Sequence, residues 1–209
     1  MARYCAIDTE TTGLIPRFND IIEIAVVLLD DNFDMDPTIL PFHTYILPSR
    51  PENVNIEALK VQHTNDPSLD KTYTLNKFKR VMEFGMEGWK VADLFVEWFE
   101  NLHLPPKSRI IPMGHNYSFD KEFMVDWLGP KSYDYTIHHK YRDSNTVCSF
   151  INDCAANRGE KLPFPYSTRL TDVCNILGLK LEKAHSALDD AIAAAQVYRR
   201  LMRYVPDTK

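Results

Sequence analysis

No stretch of this sequence reaches the roughly 18 uninterrupted apolar residues that a membrane-spanning helix needs. The start, MARYCAID, also lacks a signal-peptide layout, so a soluble, cytoplasmic protein with no membrane partner is expected. Cysteine is scarce too. Cys5, Cys148, Cys154 and Cys174 form no C-x-x-C pair, and Cys5 lies in an apolar, strand-like run, which speaks against zinc ligation and against a disulfide framework. An excess of positive charge is also missing. The formal net charge of −5 argues against a protein that coats nucleic acid by bulk electrostatics, but is compatible with an acidic site neutralised by divalent ions. There is no internal repeat and no low-complexity tract. What is present is 209 residues of 44% apolar and 25% charged composition, enough for one α/β domain with a full core.

Hydrophobic patterning predicts a first strand over residues 3 to 9, a turn at TTGLIPRFND, and a second strand in the β-branched run IIEIAVVLLDDNF, together a hairpin. PFHTYILP reads as a third strand, and VNIEALKV as a short helix. Val91, Leu94, Phe95, Trp98 and Leu102 fall at helical spacing in KVADLFVEWFENLHL, which ends before Pro105 and Pro106. SRIIPMGHN supplies a strand, and SFDKEFMVDWLG a helix closing at Gly129. NTVCSFINDCAANRG, RLTDVCNILGL and ALDDAIAAAQVYRRLMRYV are helical in pattern. The sum is a mixed β-sheet flanked by α-helices. Residues 65 to 90 are read as an irregular insertion in which Lys71, Lys77, Lys79 and Arg80 interleave with Tyr73 and Phe78. Such a run can track a single strand of nucleic acid, but is more simply a solvated surface segment.

The residues that point to chemistry are acids. In YCAIDTETTGL, Asp8 and Glu10 are two apart at the end of an apolar strand, so they share a face while Thr9 points away. Partly desolvated and mutually repelling, such a pair calls for a shared cation. Asp120, in GHNYSFDKEFM, falls in the first turn of a helix, where the macrodipole alone could explain it, but shares a face with Met124 and Trp127 and so borders the buried side. In KAHSALDDAIAAAQVY, Ser186 and Asp189 resemble a capping box, which leaves His185 on the preceding loop. Asp190 then sits one turn in, on an alanine-rich helix able to approach a sheet closely, and is the better ligand candidate of the two adjacent acids. Of the seven histidines, His185 is singled out by position, since a loop imidazole beside an acid-bearing helix can take a proton from an attacking water near neutral pH.

The succession IDTETTGL, GHNYSFD, DSNTVC and HSALDDA resembles, in order and spacing, the DEDD superfamily of 3′-to-5′ exonucleases, and its H-x-x-x-x-D spacing resembles the DEDDh branch, the DnaQ-like group of the proofreading ε-subunit and ribonuclease T. The resemblance runs nearly end to end. It implies a ribonuclease H-like fold, with Asp8, Glu10, Asp120 and Asp190 as the acidic quartet around two divalent ions, Mg²⁺ or Mn²⁺. Asp8, Glu10 and Asp190 would be direct ligands, Asp120 would act through water, and His185 would be the general base. It also implies that Thr9, Thr11, Thr12, Gly13 and Leu14 contact the terminal nucleotide, with Asn116 and Phe119 nearby, and that Asp143 supports the site from behind. Where relatives often read V-H-G-I, this chain has VQHT, so either Gln62 or His63 could serve the terminal sugar.

The expected reaction is metal-dependent hydrolysis from the 3′ end of nucleic acid, releasing nucleoside 5′-monophosphates. Single-stranded DNA is the first expectation, and RNA 3′ ends or short oligoribonucleotides the alternative. An idle nucleic-acid-binding or polymerase-recruiting module is a reading of another class, disfavoured because all four acids and the histidine are present. A proofreading role would require a polymerase or other replication or repair partner in trans.

Overall fold

The computed structural model describes residues 3–55, 71–164, 168–181 and 186–204, with the backbone alone for residues 71–76. Five strands, β1 (Arg3–Thr11), β2 (Ile21–Leu28), β3 (Phe42–Tyr45), β4 (Ile110–Gly114) and β5 (Arg142–Asp143), form a mixed sheet in the order β3-β2-β1-β4-β5. β1 pairs antiparallel with β2 and parallel with β4; β3 extends the antiparallel side and β5 the parallel side. Six helices occur among the described residues: α1 (Lys71–Phe84), α2 (Gly88–Glu100), α3 (Tyr117–Thr136), α4 (Ser144–Asn157), α5 (Leu170–Ile176) and α6 (Ala187–Leu201).

The two faces of β1 go to different helices. Cys5 and Ile7 join a cluster with Val91, Phe95 and Phe99 of α2 and Phe123, Met124 and Leu128 of α3. Ala6 turns the other way, meeting Ala25, Val27 and Met113 together with Ala187, Ala191 and Ala195 of α6. Alanines at these positions have no bulk to hold α6 off the sheet, so its backbone packs close. Period-2 alternation then carries Asp8 and Glu10 onto the α6 face, beyond Ala6.

The expected α/β architecture and the hairpin are found, with β1 running two residues further than predicted and so including Glu10. Four local expectations are corrected. Residues 71–84 are helical rather than irregular, because Phe78 and Val81 supply an apolar contact to Ile22 that gives the segment something to fold against. On α2 the buried stripe is Val91, Phe95 and Phe99, whereas Leu94 is 41% exposed. The helix that breaks at Gly129 (φ 73°) resumes from Pro130 to Thr136, proline being well suited to the first turn of the new segment. Finally, Ser186 stands at the N-cap of α6 but its side chain makes no capping hydrogen bond, so the capping box is absent. VNIEALKV lies mostly outside the described residues.

Candidate active site

Asp8 and Glu10 of β1 and Asp190 of α6 each present a carboxylate oxygen, and these three oxygens lie within 4.8 Å of one another. The strand parity and the alanine face of α6 put them there: α6 approaches β1 at Ala187 and Ala191, and Asp190 on its first turns faces the end of the strand. Asp120 arrives from α3 on the other side of the sheet. Its Oδ1 accepts hydrogen bonds from the Thr9 backbone N–H (2.9 Å) and the Thr9 hydroxyl (2.7 Å). Thr9 is the residue that points away from Asp8 and Glu10, so Asp120 grips the strand between the two acids.

Electrostatically this is a crowded set of anions. Burial, followed by repulsion from Asp120, Asp190 and Glu10, holds the Asp8 carboxyl well above its ordinary pKa. Burial also raises Asp120, to about 7, although the Thr9 hydrogen bonds pull the other way. Glu10 is raised by burial against the opposing pull of Lys77. Such a cluster ionises at little cost only with positive charge among it. An oxygen-only donor set of this kind fits hard divalent cations such as Mg²⁺ or Mn²⁺.

Two participants were missed by the sequence reading. Glu23 of β2 is the direct cross-strand partner of Glu10, so both acids share a face. The Lys77 ammonium lies 3.0 Å from Glu10 Oε1 and 3.0 Å from Glu23 Oε2. Burial alone would lower the pKa of Lys77, but Glu10 and Glu23 together raise it. The other oxygen of Glu23 meets His43 Nε2 at 2.8 Å. Lys77 is therefore neither a solvated surface residue nor a strand-tracking one, and Phe78 packs inward. A lone acid inside IIEIAVVLL was the available signal for Glu23; nothing local marked Lys77.

Beyond the acids the chain turns through a loop held by its own hydrogen bonds. The Thr11 hydroxyl donates to Gly13 O (2.6 Å), and the Thr12 hydroxyl accepts from Asp20 N–H (2.9 Å). With the Thr9 hydroxyl given to Asp120, all three threonine side chains expected near the nucleotide are buried and internally committed, leaving backbone as what they can offer. Gly13 allows the tight approach of Asn19, whose side-chain atoms would be 2.4–2.5 Å from an added Cβ. The Arg50 guanidinium ties the loop down, donating to the Asp20 carboxylate (2.7 Å), Asn19 O (2.9 Å), Arg17 O and Asp126 (3.2 Å). Held on this frame, Leu14, Ile15 and Phe18 are 63%, 59% and 64% exposed.

On α3, Asn116 occupies the N-cap in left-handed conformation (φ 69°) and is exposed, while Phe119 is half-buried against Phe123. Asp143 braces this region. Its carboxylate accepts from Tyr117 N–H (2.8 Å), Asn116 N–H (3.3 Å) and Thr146 N–H (3.0 Å), capping α3 and α4 together. His185, Gln62 and His63 lie outside the described residues.

Residues 5–102 match the family model RNase_T, described as Exonuclease. The chain is 28% identical over 201 residues to the PolC-type DNA polymerase III of Thermotoga petrophila, covering 96% of this chain but 12% of that protein. It is 25% identical to ribonuclease T of Wigglesworthia glossinidia brevipalpis, over 92% of this chain and 80% of that one. Among solved structures, E. coli exonuclease I in complex with a dT13 oligonucleotide superposes with a TM-score of 0.67 at 18% identity, covering 96% of this chain and 41% of that one. The nuclease domain of 3′hExo, a DEDDh family member bound to rAMP, gives a TM-score of 0.64 at 18% identity, over 96% and 92% of the two chains. The expected ribonuclease H-like fold is thus shared with these solved structures, and residues 5–102 are similar in sequence to exonucleases.

Proposed function

From its relationship to the DEDDh exonucleases, we propose that this chain is a metal-dependent 3′-to-5′ exonuclease acting on single-stranded nucleic acid, DNA first, and releasing nucleoside 5′-monophosphates. The observation that carries this reading is the convergence of Asp8, Glu10 and Asp190 oxygens within 4.8 Å, from a strand and a helix far apart in sequence, about the spread one cation can bridge. Those three residues would hold divalent ions, with Asp120 as the neighbouring acid. When bound, such ions neutralise charge on the attacking and leaving oxygens of a phosphodiester.

The protein's own residues do the rest. The Arg50-braced loop holds Leu14 and Ile15 exposed next to the acids, where they can pack on the terminal nucleotide, and Asn116 and Phe119 border the same end of the sheet. Contacts of that kind to a terminal nucleotide would favour exo- over endonucleolytic cleavage. His185, immediately before the α6 N-cap, accepts the proton of the attacking water. The phosphorus–oxygen bond to the penultimate nucleotide then breaks, its 3′ oxygen leaves, and the phosphate stays on the released nucleotide.

The test is a digestion time course on matched 5′-labelled single strands of DNA and RNA, in Mg²⁺ and in excess chelator. A metal-dependent ladder shortening from the 3′ end, faster on DNA, is expected. Faster RNA digestion would move the substrate to RNA, which the ribonuclease T likeness makes the second reading. No ladder on either strand would overturn the exonuclease assignment.

A further inference from the structure

The cage described above contains one cation that the chain itself provides. Glu10 and Glu23 face each other across β1 and β2, an arrangement of like charges that destabilises a sheet unless something lies between them. Lys77 lies between them, 3.0 Å from an oxygen of each. The three side chains are 10%, 8% and 1% exposed for Lys77, Glu10 and Glu23, so water screens this array poorly. Its ammonium also acts on Asp8, opposing the burial and the repulsion from Asp120, Asp190 and Glu10 that raise that carboxyl. On the far side, Glu23 is fixed by His43, and α1, which carries Lys77, is anchored on β2 through Phe78 and Val81. The backbone that carries the ammonium is therefore held against the sheet beside the two glutamates.

A divalent ion bound by Asp8, Glu10 and Asp190 must share Glu10 with this ammonium. We propose that Lys77 is a built-in counter-cation of the cage, a positioning residue that pins Glu10 by one carboxylate oxygen and holds down the site's affinity for divalent cations. The inference rests on the metal reading of the preceding section. Its consequence is that metal loading is electrically tied to the docking of α1, a segment that carries none of the four acids.

The experiment is calorimetric Mn²⁺ titration of the full chain at neutral pH without nucleic acid. Wild type should bind Mn²⁺, and Asp8→Asn should abolish or sharply weaken binding. Lys77→Met should bind Mn²⁺ about tenfold more tightly, because the repulsion between two nearby cations is removed from a poorly screened site. Lys77→Arg, which keeps the charge, should stay within about threefold of wild type on the same Coulomb argument. Unchanged or weaker binding in Lys77→Met, or Lys77→Arg behaving like Lys77→Met, would overturn the proposal. Should Lys77→Met fail to fold, Glu23→Gln carries the test: with Lys77 left on Glu10 alone, Mn²⁺ binding should weaken several-fold, and unchanged binding would refute the charge account. A wild type that binds no Mn²⁺, or that binds it independently of Asp8, would instead overturn the metal cage and the inference with it.

Discussion

Replacing Asp143 by alanine should cost this protein more stability than any exposed acid, because one carboxylate caps two helices. Three backbone N–H groups converge on it, at 2.8 Å from Tyr117, 3.0 Å from Thr146 and 3.3 Å from Asn116, and Asp143 is only 8% exposed. Loss of one N-cap side chain costs about 1 kcal/mol, and a hydrogen bond to a charged acceptor about 1.5 to 3 kcal/mol. Counting the two shorter bonds in full and the longest as weak gives a loss of about 3 kcal/mol. For a chain of about 200 residues, at about 2 to 4 °C per kcal/mol, Tm should fall by about 6 to 12 °C. Asparagine retains one acceptor oxygen and should lose about half as much. Thermal unfolding followed by circular dichroism, with exposed Asp134→Ala as the control, reads this directly. A loss no larger than that control would refute the double-cap account. The same substitution should loosen the Asp120 grip on Thr9, since Tyr117 opens the helix on which Asp120 sits.

Two further outcomes follow from the site. Asp120 has a folded pKa of about 7 against an ordinary 3.8, so the folded state binds the proton more tightly and stability falls as pH rises between those values. In excess chelator Tm should therefore be higher at mildly acid than at mildly alkaline pH, Asp120→Asn should flatten that slope, and added Mn²⁺ should reverse it; an identical slope in Asp120→Asn would contradict the assignment. Leu14→Ala should raise KM for single strands several-fold with kcat and Tm little changed, because the side chain is 63% exposed and has little folded-state packing to lose. A large fall in Tm would mean that Leu14 is a packing residue rather than a substrate contact.

The parts of the site that follow from local periodicity could be read from the sequence. Asp8 and Glu10 share a face because side chains alternate along a strand, and Asp190 reaches them because alanines at 187, 191 and 195 let α6 approach the sheet. The parts set by distant contacts could not. Lys77 looks like one lysine in a run of surface charge until α1 docks and turns it between Glu10 and Glu23. Asp143, which opens DSNTVC, is expected only to support the site from behind, and its capping of two helices appears only when β5 lies beside β4 and brings the N-terminus of α3 within reach. The threonines of TETTGL read as substrate contacts, whereas folding spends their hydroxyls on Asp120, Gly13 and Asp20. The failed capping box at Ser186 is of the same kind: a local pattern was present, but the serine hydroxyl makes no bond to the first turn of the helix.

The cage of Asp8, Glu10 and Asp190 is proposed to cut nucleic acid from its 3′ end. Its most direct test is to follow a single strand labelled in its 3′-terminal nucleotide, with Mn²⁺, comparing wild type with folded Asp8→Asn. Wild type should release the label first and as a nucleoside 5′-monophosphate, while Asp8→Asn should release none. Label appearing in longer fragments, or equal release by Asp8→Asn, would contradict it.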